Sequence, residues 1–403
     1  MTLERRHLLG AAAAVSLLPR FARAQDTTFR IGSLNPITGA GSAYGTGMQK
    51  MIAAVFEQVN AEGGAGGRKL QLFSEDTETQ AQSAVLAAKK LIEVNKVEVM
   101  LGVWGSSESL AIIPMTNAAG MIMMNSSGAP ALSVPPANAK GLSYRLQATN
   151  PQFGQAFAEI CTREGFKRPA TMAFNNASGI GNADGFKVAW EKKGGTVAAS
   201  VVYEPNQSSY ASELNKVLAA KPDVIVTGSY IADTTIILRN WFESGATNKW
   251  VLPGWAGSPD LVKAVGPEVT EGIFSVDSVS NVGAPAFKLY DAAYRKAMGA
   301  PGEGNPYAAM AYDEAVLYAL AVQAAGPGAD RAAINAKVRV VAGPGGMEVG
   351  SFAEGRDALG KGKIHYVGAS SSLDFDSHGD VAPDFAVSVI TKGKLERKYV
   401  VKT

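Results

Sequence analysis

The segment Gly102-Val103-Trp104-Gly105-Ser106-Ser107-Glu108-Ser109 carries more chemistry than any other stretch of the chain. It follows an apolar run and opens a helical pattern, so its small residues let a ligand approach the backbone. The free N–H groups of a helix start, with their partial positive charge and adjacent hydroxyls, make a seat for a carboxylate. Ser106 or Ser107 alone would serve equally as an ordinary helix cap. Asn125-Ser126-Ser127-Gly128-Ala129-Pro130 ends the next apolar run, on the carboxyl edge where open α/β sheets bind ligands, although a plain strand-ending turn fits the same residues. Gly39 to Gly45, containing Tyr44, resembles a phosphate loop but lacks both the Gly-Lys-Ser/Thr ending and the spacing of a dinucleotide fingerprint.

Catalytic groupings are scarce. The histidines are His7, His365 and His378, with no metal-ligand spacing among them, and there is no Gly-x-Ser-x-Gly elbow. Glu75, Asp76 and Glu78 read as a solvated loop rather than an acid/base pair. No catalytic residue, cofactor or metal is expected. Cys161, the only cysteine, shares a helical apolar stripe with Phe157 and Ile160, which predicts buried packing.

These residues need a scaffold, and the hydrophobic pattern supplies one. Short apolar runs at 29–34, 70–73, 97–103, 120–124 and 144–148 alternate with helical patterns at 44–60, 79–95 and 107–118, which predicts a parallel, doubly wound sheet. The pattern then restarts, with strands at 170–174, 196–203, 224–227, 250–252 and 273–276 and helices at 181–193, 208–220 and 233–244, giving a second sheet. Helices over 285–298 and 306–325 follow, and strands at 372–375 and 385–390 with a turn at 391–394 close the chain.

With 403 residues, 46% of them apolar, and a formal charge of +2, the chain can bury two cores and offers no basic face for nucleic acid. Arg5-Arg6 before the apolar run Leu8 to Leu18, then Ala22-Arg23-Ala24, has the form of a secretory signal over residues 1–24. The paired arginines suggest the twin-arginine route. The apolar run is too short to span a bilayer, which takes roughly 20 residues, so no stable membrane insertion is expected.

Taken together, Ile31-Gly32-Ser33-Leu34 with Thr38-Gly39 and Tyr44-Gly45, Val59 to Gly64, Gly102 to Ser107, Pro222-Asp223-Val224-Ile225, Gly368-Ala369-Ser370, Asp374-Phe375-Asp376 and Gly379-Asp380 resemble the type I periplasmic binding proteins of ABC importers, in the Leu/Ile/Val-binding branch. The resemblance covers the whole chain after the signal. It implies an α/β fold of two doubly wound, Rossmann-like lobes joined by a three-stranded hinge, with 27–148 plus 277–367 as lobe 1 and 149–276 plus 368–403 as lobe 2. It also implies a periplasmic monomer that binds a small molecule in the cleft and hands it to a membrane permease. By position, Ser106 resembles the serine that holds a ligand carboxylate, and Ser127 and Ala129 fall on the neighbouring contact loop. Ile180 falls where a lid tyrosine is usual, Tyr230 matches a cleft aromatic, and Trp255 stands where an acid commonly pairs with a ligand ammonium. Tyr44, Trp104, Gly105, Ser107 and Gly128 complete the expected contacts. Without the usual acid, an ammonium would need Asp233, Glu108 or another carboxylate. A receptor-associated sensor is the nearest rival reading, and a secreted hydrolase or amidase the more distant one.

Overall fold

The computed structural model describes residues 28–402; the expected signal at 1–24 lies outside them. Five parallel strands, β1 (Thr28–Asn35), β2 (Lys69–Asp76), β3 (Val99–Val103), β4 (Ile122–Asn125) and β5 (Ser143–Arg145), form one sheet in the order β2-β1-β3-β4-β5. The second sheet contains β6 (Pro169–Phe174), β7 (Ser200–Tyr203), β8 (Val224–Gly228), β9 (Lys249–Pro253) and β10 (Phe274–Ser278), all parallel. A parallel pair, β11 (Met347–Val349) and β12 (Ile364–Tyr366), stands apart. The antiparallel hairpin β13 (Phe385–Thr391) and β14 (Lys394–Val401) returns to extend the second sheet beside β10, in the order β14-β13-β10-β9-β8-β6-β7.

The central strands β3 (VMLGV) and β8 (VIVTG) are buried at every residue, because helices cover both faces of a parallel sheet. Helix 306–325 is buried from Pro306 to Val322, which explains why its sequence is apolar on every side apart from the buried carboxyls Asp313 and Glu314. Among the described residues no helix is long and apolar enough to cross a membrane. Cys161 is fully buried, and burial pushes its thiol up to about 12.

Two expected elements differ. Residues 372–375 form no strand: Leu373 takes a left-handed conformation (φ 60°) and Phe375 packs edge-on against Tyr144, so the alternation of apolar residues comes from a loop pinned at two points. The helix expected at Gly181 begins at Ala177, capped by the Asn176 side chain, which accepts from the Gly179 N–H at 2.7 Å. Gly179 and Gly181 weaken the helical signal, but Gly179 is needed there because a Cβ would collide with the carbonyls of Phe174 and Gly228.

The chain passes between the sheets after β5, after β10 and again beyond β12, and hydrogen bonds tie these passages together. The Ser278 hydroxyl donates to Gln147 Oε1, linking the first and second. Asn281 donates from its backbone to Ala369 O (2.9 Å) and from its side chain to Gly368 O (3.1 Å), linking the second and third.

Candidate ligand-binding site

Between the two sheets lies a narrow cavity that communicates with solvent, the space within it and at its mouth amounting to about 310 Å³. Its walls come from just beyond the carboxyl ends of strands in both sheets: Trp104, Gly105 and Ser106 after β3, Ser126 and Gly128 after β4, Gln147 and Asn150 after β5, Ser178 after β6, Tyr230 after β8 and Trp255 after β9. Phe153 and Tyr307 complete the lining, and no lining residue is charged.

Five helix starts contribute to this lining. Ser106 and Asn150 are the first residues of helices 106–118 and 150–163; Ser178 and Tyr307 are the second residues of helices 177–192 and 306–325; Tyr230 caps helix 231–243. Each start brings the positive end of a helix dipole to the cavity, although the Asn150 and Gln152 N–H groups are taken by Gly128 O and the Thr149 hydroxyl, and those of Ala177 and Gly179 by Ser107 and Asn176. The aromatic walls are braced edge to face: Trp104 on Tyr230 (5.9 Å between centroids) and on Tyr307 (5.5 Å), and Trp255 on Phe153 (5.2 Å) and on Tyr307 (6.5 Å).

Of the residues singled out in the sequence, Trp104, Gly105, Ser106, Gly128, Tyr230 and Trp255 meet around this cavity. Tyr44, Ser107, Ser127, Ala129 and Ile180 do not line it. Tyr44 lies behind Trp104, stacked at 6.0 Å, and its hydroxyl donates to Gly254 O across the cleft at 3.4 Å. The Ser107 hydroxyl accepts from the Ala177 N–H (3.1 Å), joining two helix starts from opposite sides. Ser127 spends its hydroxyl on Asn125 Oδ1 (2.6 Å), and Ala129 packs in the apolar cluster of the first sheet. Ile180 is half-buried on helix 177–192, where the earlier helix start puts Ser178 in the wall instead.

Gln147, Asn150, Phe153, Ser178 and Tyr307 were not anticipated, and from the loop after β4 it is Ser126 rather than the expected Ser127 that lines the cavity. The carboxyl-edge rule that marked the loop after β4 also applies to Gln147, two residues beyond β5. Nothing local distinguishes Phe153 or Tyr307 from core aromatics.

Four carboxyls near or beneath the site are shifted by burial toward the neutral acid. Glu108 packs where a Cβ of Gly105 would stand and is raised. Desolvation brings Asp277 to about 7, Asp313 to about 6 and Glu314 to about 8. Glu314 Oε2 accepts the Gly102 N–H at 2.6 Å, directly under the ligand loop. Because these folded-state values exceed the unfolded ones, the native protein keeps protons that the unfolded chain has lost. Their contribution is complete below about pH 4 and is lost as pH climbs toward 8. Glu159 and Asp291, lowered by hydrogen bonds from Arg163 and Arg295, act oppositely, and theirs is lost on acidification. Urea unfolding should therefore show stability near pH 5 exceeding that at pH 8 by at least about 1 kcal/mol. Glu314→Gln, which keeps an oxygen for Gly102, should shrink that difference. A curve that rises between those values would refute the assignment.

The model of the family described as periplasmic binding protein matches residues 28–357. The chain belongs to the periplasmic binding protein family. A curated relative, the chemotactic signal transduction system substrate-binding protein BasB of Halobacterium salinarum, is 25% identical over 392 residues, covering 93% of this chain and 89% of that one. Among solved structures, the leucine-binding protein LivK of Thermotoga maritima superposes with a TM-score of 0.79 at 22% identity, over 93% of this periplasmic binding protein and 99% of that chain. The branched-chain amino acid transporter substrate-binding protein LivJ of Streptococcus pneumoniae, in complex with isoleucine, gives 0.77 at 19% identity, covering 93% and 100%. Both likenesses establish the two-lobed fold.

Proposed function

We propose that this periplasmic binding protein is exported and serves as the substrate-capturing component of an ABC importer, taking a small carboxylate into the cavity between its lobes. The observation that carries the reading is the meeting of five helix starts, from both sides of the cleft, around one aromatic-walled cavity. Partial positive charge with hydroxyl and amide donors suits the carboxylate, and Trp104, Tyr230 and Trp255 suit an apolar remainder. The leucine- and isoleucine-binding descriptions of LivK and LivJ agree with a small acid bearing an apolar group.

Contacts across the cleft, Tyr44 to Gly254 and Ala177 to Ser107, belong to the closed arrangement. Ligand stabilises that arrangement only through contacts it makes better there than when the lobes are apart. A permease then reads the closed surface. The BasB relationship favours a second reader, a chemotaxis receptor, for the same closed surface.

Small-angle scattering should show the protein becoming more compact on saturation with ligand. An unchanged profile with bound ligand would overturn lobe closure. Ser106→Ala removes a hydroxyl from the anion seat and should weaken carboxylate binding by about 1–3 kcal/mol without unfolding the protein. Unaltered affinity would take Ser106 out of the site.

A further inference from the structure

The buried polar groups left unspent around the cavity can all donate. Gln147 Oε1 accepts from the Ala148 N–H (2.7 Å) and from the Ser278 hydroxyl, which fixes the orientation of the amide. Its Nε2, on a residue 2% exposed, makes no well-formed hydrogen bond and has the Tyr307 hydroxyl beside it as a weak acceptor. Ser126, 3% exposed, has an unpartnered hydroxyl as well. The Ser106 hydroxyl accepts from the Gly128 N–H at 3.2 Å. A buried amide that can only donate is stabilised by an acceptor, and a ligand in the cavity is placed to supply one.

No acid lines the cavity to meet the opposite charge. Asp233 is committed to the Tyr210 hydroxyl and the Asn206 N–H (3.2 Å). Glu108 sits behind Gly105, where desolvation favours its neutral form. Asp277 opens onto a separate groove with Tyr44 and Gly254. None of the three lines the cavity, and Trp255 presents an indole instead.

We infer that the ligand is an apolar monocarboxylate without an ammonium group, and that Gln147 is the residue that selects it, donating from Nε2 to the carboxylate beside Ser126 and Ser106. The inference rests on the carboxylate-capture reading above and narrows it to one chemical class. An α-amino acid would bury its ammonium among aromatic rings with no countercharge, while the donors that its carboxylate needs are the same.

Calorimetric titration with pairs that differ only in the amino group tests this: 4-methylpentanoate against leucine, and 3-phenylpropanoate against phenylalanine, with glycine betaine and 3-phenylpropanamide alongside. The acid of at least one pair should bind at least about 100-fold tighter than its amino acid, and tighter than the betaine or the amide. Gln147→Leu should weaken that acid by about 10-fold. Gln147→Glu keeps an acceptor for Ala148 and Ser278 but replaces the donor with a second negative charge, and should weaken it further while melting close to the wild type.

Leucine or phenylalanine binding as tightly as its acid would overturn the inference and leave carboxylate capture standing, the more so if Glu108→Gln abolished it. Tighter binding of the betaine would transfer the aromatic walls to a quaternary ammonium, and tighter binding of the amide would remove the need for charge. Binding of none of these probes would overturn carboxylate capture and this inference together.

Discussion

Replacing Arg145 with alanine should lower the free energy of unfolding by about 3–5 kcal/mol. Its guanidinium is 1% exposed and fully engaged. Nε donates to Asp380 Oδ1 at 2.9 Å, Nη1 to Ser127 O at 2.6 Å, and Nη2 to Ala129 O at 2.9 Å and to the Ser133 hydroxyl. One planar fork thus ties the end of β5 to the loop after β4 and to the chain's third passage between the sheets. Removing it leaves Asp380 without its cation and two carbonyls without donors. Lysine, with a single ammonium, cannot reproduce the fork, so Arg145→Lys should recover only part of the loss. Because Ser126 and Gly128 belong to the loop that Arg145 holds, ligand affinity should fall along with stability. Urea unfolding measures the first and calorimetry the second. A cost below about 1 kcal/mol would mean that the loop holds its shape without the guanidinium.

The second large effect is expected at Asp313. This buried carboxylate accepts four hydrogen bonds: from the Tyr366 hydroxyl (2.7 Å), the Ala369 N–H (2.8 Å), the Ser370 N–H (2.7 Å) and the Ser370 hydroxyl (2.6 Å). It fastens helix 306–325, which carries Tyr307 into the cavity, to the start of the third passage. Asp313→Ala strands these donors in the interior and should cost about 3–5 kcal/mol. Asp313→Asn retains one acceptor oxygen and should cost less. The fit is close enough that a Cβ on Gly368 would stand 2.5 Å from Asp313 Oδ2, so Gly368→Ala should disturb the same junction. Hydrogen exchange at Ala369 and Ser370 should accelerate in all three variants. Protected amides in Asp313→Ala would show that the junction is held by something else.

Much of the scaffold was legible in the residues themselves. The apolar runs of β3 and β8 follow from burial on both faces, and the helices at 285–298 and 306–325 begin and end where Pro285, Pro306 and the following Gly299 and Gly326 place them. Trp104-Gly105-Ser106 could be picked out for the same reason: a strand that ends in small residues and opens a helix exposes N–H groups whatever surrounds it.

Which of two neighbouring serines faces the cavity could not be read from the chain. Ser126 and Ser127 have the same chemistry, but Asn125 takes the Ser127 hydroxyl and Arg145 takes the Ser127 carbonyl, leaving Ser126 in the wall. Gln147 and Tyr307 are 160 positions apart in number yet side by side in the cavity, because a helix returns across the first sheet after the chain has built the second. Local order is set by backbone sterics and by the period of apolar residues, which act over a few positions. The lining of the cavity is set by contacts between distant segments, and only the folded chain decides which donors those contacts leave unused.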